Sequence, residues 1–218
     1  MRTLFLYFIY KIFWNAFFKI IIGVRIIGAR KLHKYDQFII AANHNSHADA
    51  ITLMTAVPTN KLATTHPIAA ADYFGKNKFT SFISWFFINV KLIPRKKSTE
   101  ELNENPIEIM DKLLKKNKSI IIFPEGSRGK PGKLSPFKKG VGILSEKNRN
   151  IPIIPVYLEG ISRVLPKGNK IILPSLTKIY FGEAIHVTNE SSEEIVDRVE
   201  KAIHQLKDNP KHRLINDL

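Results

Sequence analysis

A chain of 218 residues, 44% of them hydrophobic, suffices for one domain with a sizeable core and is too apolar for global disorder. Its net charge of +15 points to a polyanionic partner: nucleic acid, an anionic membrane surface or a phosphorylated substrate. There is no cysteine, which excludes a disulfide framework, a thiolate nucleophile and a zinc–thiolate site.

Residues 3–27 are dense in Phe, Tyr, Trp and Ile. Lys11, Asn15 and Lys19 recur every four residues, so on a helix they form one polar stripe along an apolar cylinder. The longest uncharged stretch, residues 3–10, is too short to span a bilayer unaided. Aromatics with snorkelling lysines suit a helix lying in the headgroup region, or a shallow re-entrant pair broken near Gly23. A core-packing helix and a single tilted transmembrane anchor are the competing readings. A signal peptide fits poorly, because Lys11 interrupts the apolar run and no small-x-small cleavage site follows. The expected division is a membrane-associating helical segment, 1–27, and a domain, 28–218.

Residues 28–37 form a basic connector, 38–42 a buried strand, 48–57 a helix and 62–70 a second strand. An aromatic-rich amphipathic helix is expected over 76–88 and a short strand over 90–93. Pro106 opens a helix whose Ile107, Met110, Leu113 and Leu114 keep helical spacing. Strand 119–123 and helix 137–147 follow, then strand 153–158, where Pro152 and Pro155 indicate an edge or irregular course. Further strands are expected at 171–173 and 178–181. Ser191 and Glu194 make a capping box for a last helix that presents Ile195, Val199, Ala202, Ile203 and Leu206 on one face. Alternating strands and helices define an α/β fold: a single domain with a mixed, largely parallel sheet flanked by helices. Polar loops at strand carboxyl ends then gather along one edge, where ligands bind.

Two such loops carry chemistry. Asn43 to Asp49 follows the first strand, and an imidazole and a carboxylate five residues apart can fold back on one another. The carboxylate fixes one tautomer and leaves the other ring nitrogen to take a proton. Phe123 to Gly129 offers Glu125 and Arg128 beside glycines, as a site for a hydroxylated phosphate ester needs. Together they permit attack of a hydroxyl on an activated carbonyl. His44 is the general base and Asp49 its orienting partner; Arg95 and Arg128 grip a phosphate. Glu125 holds an acceptor hydroxyl or positions the arginine, and amides around Gly126 face the developing oxyanion. Against this stand blander assignments: a structural histidine, a helix-capping Asp49, a surface Glu125–Arg128 ion pair and a solvated basic run at Arg95. His44, His47 and Asp49 do not match a zinc-site spacing. The Gly126–Lys133 stretch fails as a phosphate-binding P-loop, since Ser127 takes the place of the first glycine and Leu134 that of the hydroxyl residue. Neither Ser46 nor Ser127 lies in a nucleophile elbow. A noncatalytic basic module docking on anionic lipid is the rival function. Nucleic acid fits less well, because the aromatics concentrate at the N-terminus rather than among the basic residues.

The chain resembles the glycerolipid acyltransferases that include 1-acyl-glycerol-3-phosphate (lysophosphatidate) acyltransferases. Their Asn-His-x-Ser-x-x-Asp motif is matched by Asn43, His44, Ser46 and Asp49, and their Phe-Pro-Glu-Gly-Ser/Thr-Arg motif by Phe123 to Arg128. The second motif is met by Lys91-Leu92-Ile93-Pro94-Arg95, the fourth by residues 151–157, and Phe137-Lys138-Lys139-Gly140 resembles the segment after the third. The resemblance implies a catalytic pair, His44 and Asp49, and an acceptor site at Arg95, Glu125, Gly126, Ser127 and Arg128. It implies acyl transfer from acyl-CoA or acyl-carrier protein to a lysophospholipid hydroxyl, giving phosphatidic acid from 1-acyl-glycerol-3-phosphate. Neither metal nor cofactor is needed, and the expected location is the cytoplasmic face of the cell membrane. Asn89 and Pro94 depart from the second motif, where glycine and an acidic or polar residue are usual. Other lysophospholipid acceptors therefore stay within the resemblance.

Overall fold

Short aliphatic runs build a seven-stranded sheet in the computed structural model, which describes residues 2–46, 48–70, 89–94, 105–129, 132–161 and 177–208. The strands are β1 (Val24–Ile27), β2 (Ile39–Ala42), β3 (Thr65–Ala70), β4 (Lys91–Ile93), β5 (Ser119–Ile122), β6 (Ile153–Glu159) and β7 (Thr177–Phe181). Their order is β1-β7-β6-β2-β5-β3-β4, with every neighbouring pair parallel except β6 and β7. Every residue of β2 and of β5 is buried, as strands covered on both faces require.

Five helices cover the sheet among the described residues: α1 (Arg2–Ile22), α2 (Asp49–Ala56), α3 (Pro106–Lys115), α4 (Gly140–Lys147) and α5 (Ser192–Asp208). The pleat sorts β2 between two cores. Ile40 and Ala42 pack with Leu6 and Tyr10 of α1 and Leu53 and Met54 of α2. Ile39 and Ala41 pack with Met110 of α3, Leu144 of α4 and Ile203 of α5. Helix α3 starts where Pro106 follows Asn105, whose side chain accepts the Ile107 N–H at 3.0 Å. The expected box opens α5: Glu194 accepts the Ser191 N–H at 2.8 Å, and the Ser191 hydroxyl accepts the Glu194 N–H at 3.4 Å.

Three expectations change. Helix α1 ends at Ile22, because Gly23 adopts a left-handed φ of 79°. Val24–Ile27, expected in the helical segment, instead forms β1 beside β7. Strand β6 is interior, not an edge. The Pro155 carbonyl accepts the Gly182 N–H at 2.8 Å. A strand residue's N–H and C=O point to the same side, so the N–H that Pro155 lacks faces Gly182 and removes no bond to β2. The strand expected over 62–70 begins only at Thr65, after a 3₁₀ stretch, Thr59–Thr64. The elements expected at 76–88 and 171–173 lie outside the described residues.

Helix α1 is π-wound over Phe8–Trp14 and Phe17–Ile22. This winding is wider than 3.6 residues per turn, so Leu6, Tyr10, Phe18 and Ile22, spaced in fours and eights, share the buried side. The opposite side exposes Leu4, Phe8, Phe13, Ile20 and Ile21, each more than half accessible, with Ile20 at 75%. Lys11 leaves the expected polar stripe and caps α2, its ammonium donating to the Thr55 carbonyl at 2.7 Å.

Candidate active site

Strands β2 and β5 are parallel neighbours, Ala41 opposite Ile122, so both chains leave the sheet at the same edge. The two polar loops, far apart in sequence, are thereby brought together. Asn43 fixes the first exit. Its side-chain amide donates to the Leu158 carbonyl at 3.1 Å and its oxygen accepts the Leu158 N–H at 2.7 Å, imitating one more residue of strand pairing with β6.

The next residue, His44, turns back onto the first residue of α2. Its Nδ1 lies 2.8 Å from Asp49 Oδ2, and the same oxygen accepts the backbone N–H groups of Asn45 and Ser46, each at 2.8 Å. Asp49 is fully buried, and among the described residues its other oxygen has no hydrogen-bond partner. A buried carboxylate committed to three donors cannot swing away, so it sets both ring orientation and tautomer: Nδ1 carries the proton and Nε2 is left as acceptor. The imidazole stacks on Phe123 from the second loop, with ring centroids 4.1 Å apart and planes 18° from parallel. It keeps 22% of its side-chain surface accessible and lines a cavity of about 670 Å³.

Glu125 stands elsewhere than the sequence implied. It is 3% exposed; Oε1 accepts the His44 N–H at 2.7 Å and Oε2 accepts the Ser135 N–H at 3.0 Å. The carboxylate therefore ties the histidine loop to the segment after the third motif rather than reaching into the cavity. Further backbone bonds close the same knot, from Gly129 N–H to the His44 carbonyl at 2.9 Å and from Lys138 N–H to the Pro124 carbonyl at 2.9 Å. Of the amides around Gly126 expected to face an oxyanion, that of Gly126 itself donates to the Phe123 carbonyl at 2.9 Å.

Gly126, Ser127 and Arg128 line the cavity with His44. Lys138, to which sequence reasoning gave no role, lines it as well; its only signal was the Phe-Lys-Lys-Gly resemblance. The remaining wall is largely apolar, including Ile68, Ala70, Ile93, Ile107, Met110 and Val141. Volume and lining fit a small-molecule site with an apolar body and a few polar groups. Arg95 and His47 lie outside the described residues, although Pro94, just before Arg95, is on the cavity wall. Among the described residues no group of His, Asp and Glu could hold a metal ion.

An α/β domain with a His–Asp pair at the carboxyl edge of its parallel strands is thus defined. The sequence model of the Acyltransferase family matches residues 23–159, and the chain belongs to that family. It is similar to the chloroplastic 1-acyl-sn-glycerol-3-phosphate acyltransferase of Brassica napus, 28% identical over 62% of this chain and 36% of that protein. The 1-acyl-sn-glycerol-3-phosphate acyltransferase of Cocos nucifera is 30% identical over 77% of this chain and 52% of its own length. The beta enzyme of that name from Homo sapiens is 27% identical over 77% of this chain and 58% of its own. The chain therefore spans between 36% and 58% of the length of these relatives. The crystal structure of the 1-acyl-sn-glycerophosphate acyltransferase PlsC of Thermotoga maritima superposes with a TM-score of 0.77 at 24% identity, over 96% of this chain and 81% of that one. At this identity the likeness shows the fold.

Proposed function

We propose that the chain is an O-acyltransferase moving a fatty acyl group from a thioester to the free hydroxyl of 1-acyl-glycerol-3-phosphate, giving phosphatidic acid. The carrying observation is the His44 imidazole held by buried Asp49 on the wall of a largely apolar cavity. His44 Nε2 takes the acceptor's hydroxyl proton as the oxygen attacks the thioester carbonyl. The carbon–oxygen bond forms, the carbon–sulfur bond breaks, and the imidazolium returns the proton to the departing thiolate. Asp49 stabilises the imidazolium while it lasts. No covalent enzyme intermediate arises, because the acceptor's own oxygen is the nucleophile. The apolar wall takes acyl chain, and Arg128, with Arg95, serves the phosphate. The donor is acyl-CoA or acyl-carrier protein, and the relatives named for this reaction support the acceptor.

The reaction belongs at a membrane surface, on the cytoplasmic face where such thioesters occur. Among the described residues one helix, Arg2–Ile22, is long and apolar enough to cross a bilayer. Its Leu6, Tyr10, Phe18 and Ile22 are in the domain core, so spanning would strip that core. Lying in the headgroup region with Phe8, Phe13 and Ile20 toward lipid keeps it intact.

The test offers the purified full chain, on vesicles, labelled lysophospholipids with each thioester type and identifies products by mass spectrometry. His44→Ala should lower transfer by about 10²–10⁴ without changing the fold. Full activity in that variant rules out the dyad, and absence of any acylated product from the unaltered chain rules out the enzyme.

A further inference from the structure

We infer that Lys138 is a specificity-determining residue: its ammonium crosses Gly126 and, with Arg128, forms a two-cation seat for the acceptor's phosphate monoester. The inference rests on the acyltransferase reading of the same site. A Cβ placed on Gly126 would meet Lys138 Nζ at 2.6 Å and its Cδ and Cε at 2.9 Å. The lysine side chain therefore lies directly over the Gly126 backbone, in the space a Cβ there would take. Gly126 also holds a φ of +72°, which favours glycine a second time. The backbone is fastened too, by the bond from the Lys138 N–H to the Pro124 carbonyl at 2.9 Å.

Charge places this ammonium further. Among the described residues no carboxylate pairs with Lys138, and the nearby Glu125 spends both oxygens on the backbone amides of His44 and Ser135. The adjacent Lys139 does the opposite, pairing with Glu193 at 2.7 Å on the outer surface and not lining the cavity. One of two consecutive lysines thus faces the cavity beside Arg128, Ser127 and His44. A monoester phosphate carries close to two negative charges at neutral pH, which a planar guanidinium and a compact ammonium match from two directions. Acceptor and donor both carry phosphate. In the acceptor, the phosphate is one carbon removed from the carbon bearing the reacting hydroxyl, so its cations must stand close to His44. In coenzyme A the phosphates sit at the far end of the pantetheine arm.

The test measures acceptor and donor KM separately for Lys138→Gln, Lys138→Met, Lys138→Arg and the outward control Lys139→Gln. Loss of a charge-assisted contact should raise the KM for 1-acyl-glycerol-3-phosphate roughly tenfold or more in the Gln and Met variants. Arginine restores most of it, and the Lys139 variant matches the parent. The donor KM stays put, as does the rate with monoacylglycerol, which has no phosphate. An unchanged acceptor KM, a rise in donor KM alone, or an equal loss with monoacylglycerol each overturn the assignment. Binding gives an independent readout: inorganic phosphate should raise the melting temperature of the parent and much less that of Lys138→Gln. If the parent transfers no acyl group, the enzymatic reading fails, while the phosphate-dependent melting shift still decides whether Lys138 binds the anion.

Discussion

Replacing Glu125 by glutamine separates a carboxylate that binds substrate from one that holds the site together. In the structure Glu125 is 3% exposed and accepts two backbone N–H groups, from His44 at 2.7 Å and Ser135 at 3.0 Å. A glutamine keeps one acceptor oxygen and turns an NH₂ group toward the other N–H, so one bond is lost and two donors face each other. A buried donor left without its partner costs about 1–3 kcal/mol. For a domain of this size, ~2 kcal/mol corresponds to a fall in Tm of roughly 4–8 °C. The same change loosens the His44 backbone, and misplacing a general base by about 1 Å costs on the order of 10²-fold in rate. Glu125→Gln should therefore melt early and lose kcat, with an acceptor KM within about twofold of the parent. Glu125→Ala leaves both donors unpaired and should melt lower still. Thermal unfolding by circular dichroism and steady-state kinetics on the same preparations supply both numbers. A glutamine variant with unaltered Tm and a raised acceptor KM would falsify this account and return Glu125 to the substrate.

Membrane attachment is tested by substitution rather than truncation, because deleting residues 1–27 would take Leu6, Tyr10, Phe18 and Ile22 from the core and β1 from the sheet. Phe8→Ser with Phe13→Ser, both at exposed positions, should cut partitioning onto phosphatidylglycerol-containing vesicles by about 10² at unchanged Tm, given ~1.5–3 kcal/mol for each fully buried aromatic. Partitioning equal to the parent would move attachment to the basic body of the domain. His66 supplies a pH dependence: burial holds its pKa below the ordinary 6.5, while Nδ1–H donates to the Asn89 carbonyl at 3.0 Å. The unfolded chain then takes the proton first, so this contribution to stability is present above pH 6.5 and is lost as pH falls from 6.5 toward the folded pKa. Urea unfolding between pH 7.5 and 5 should show a shallower loss in His66→Gln than in the parent, and identical slopes would remove the histidine from the account.

The sequence carried the dyad because that geometry is local. His44 and Asp49 are joined by one tight turn whose amides bind the carboxylate, and the first turn of α2 sets the rest. The partners of Glu125 were hidden for the opposite reason. Both partners are backbone groups, one of them 81 residues away, and no residue pattern encodes where a backbone N–H will point. The same limit applies to Lys11, whose partner is a carbonyl 44 residues on, at the end of α2. It was assigned to the headgroup face because spacing alone cannot say which side of α1 meets the domain. Strand β1 went unseen since four residues after a glycine carry too little periodicity to part from the apolar helix before them. The prolines around β6 misled because their position relative to the β7 pairing, which starts at Val156, decides whether a missing N–H matters.

Sheet order explains why local motifs become one site. Were β2 and β5 separated by another strand, spaced about 4.8 Å from each neighbour, the His44 imidazole and the Phe123 ring could not stack at 4.1 Å. Adjacency also lets one carboxylate, Glu125, bond the first loop at His44 and its own connection at Ser135, and lets Asn43 anchor that first loop to β6 on its other flank. Each polar loop is therefore held both by contacts within itself and by a bond to a neighbouring connection or strand. The placement of the His44 imidazole thus depends on the sheet's strand order as well as on the local turn, through Asn43 and Glu125, whose polar atoms are spent on backbone groups.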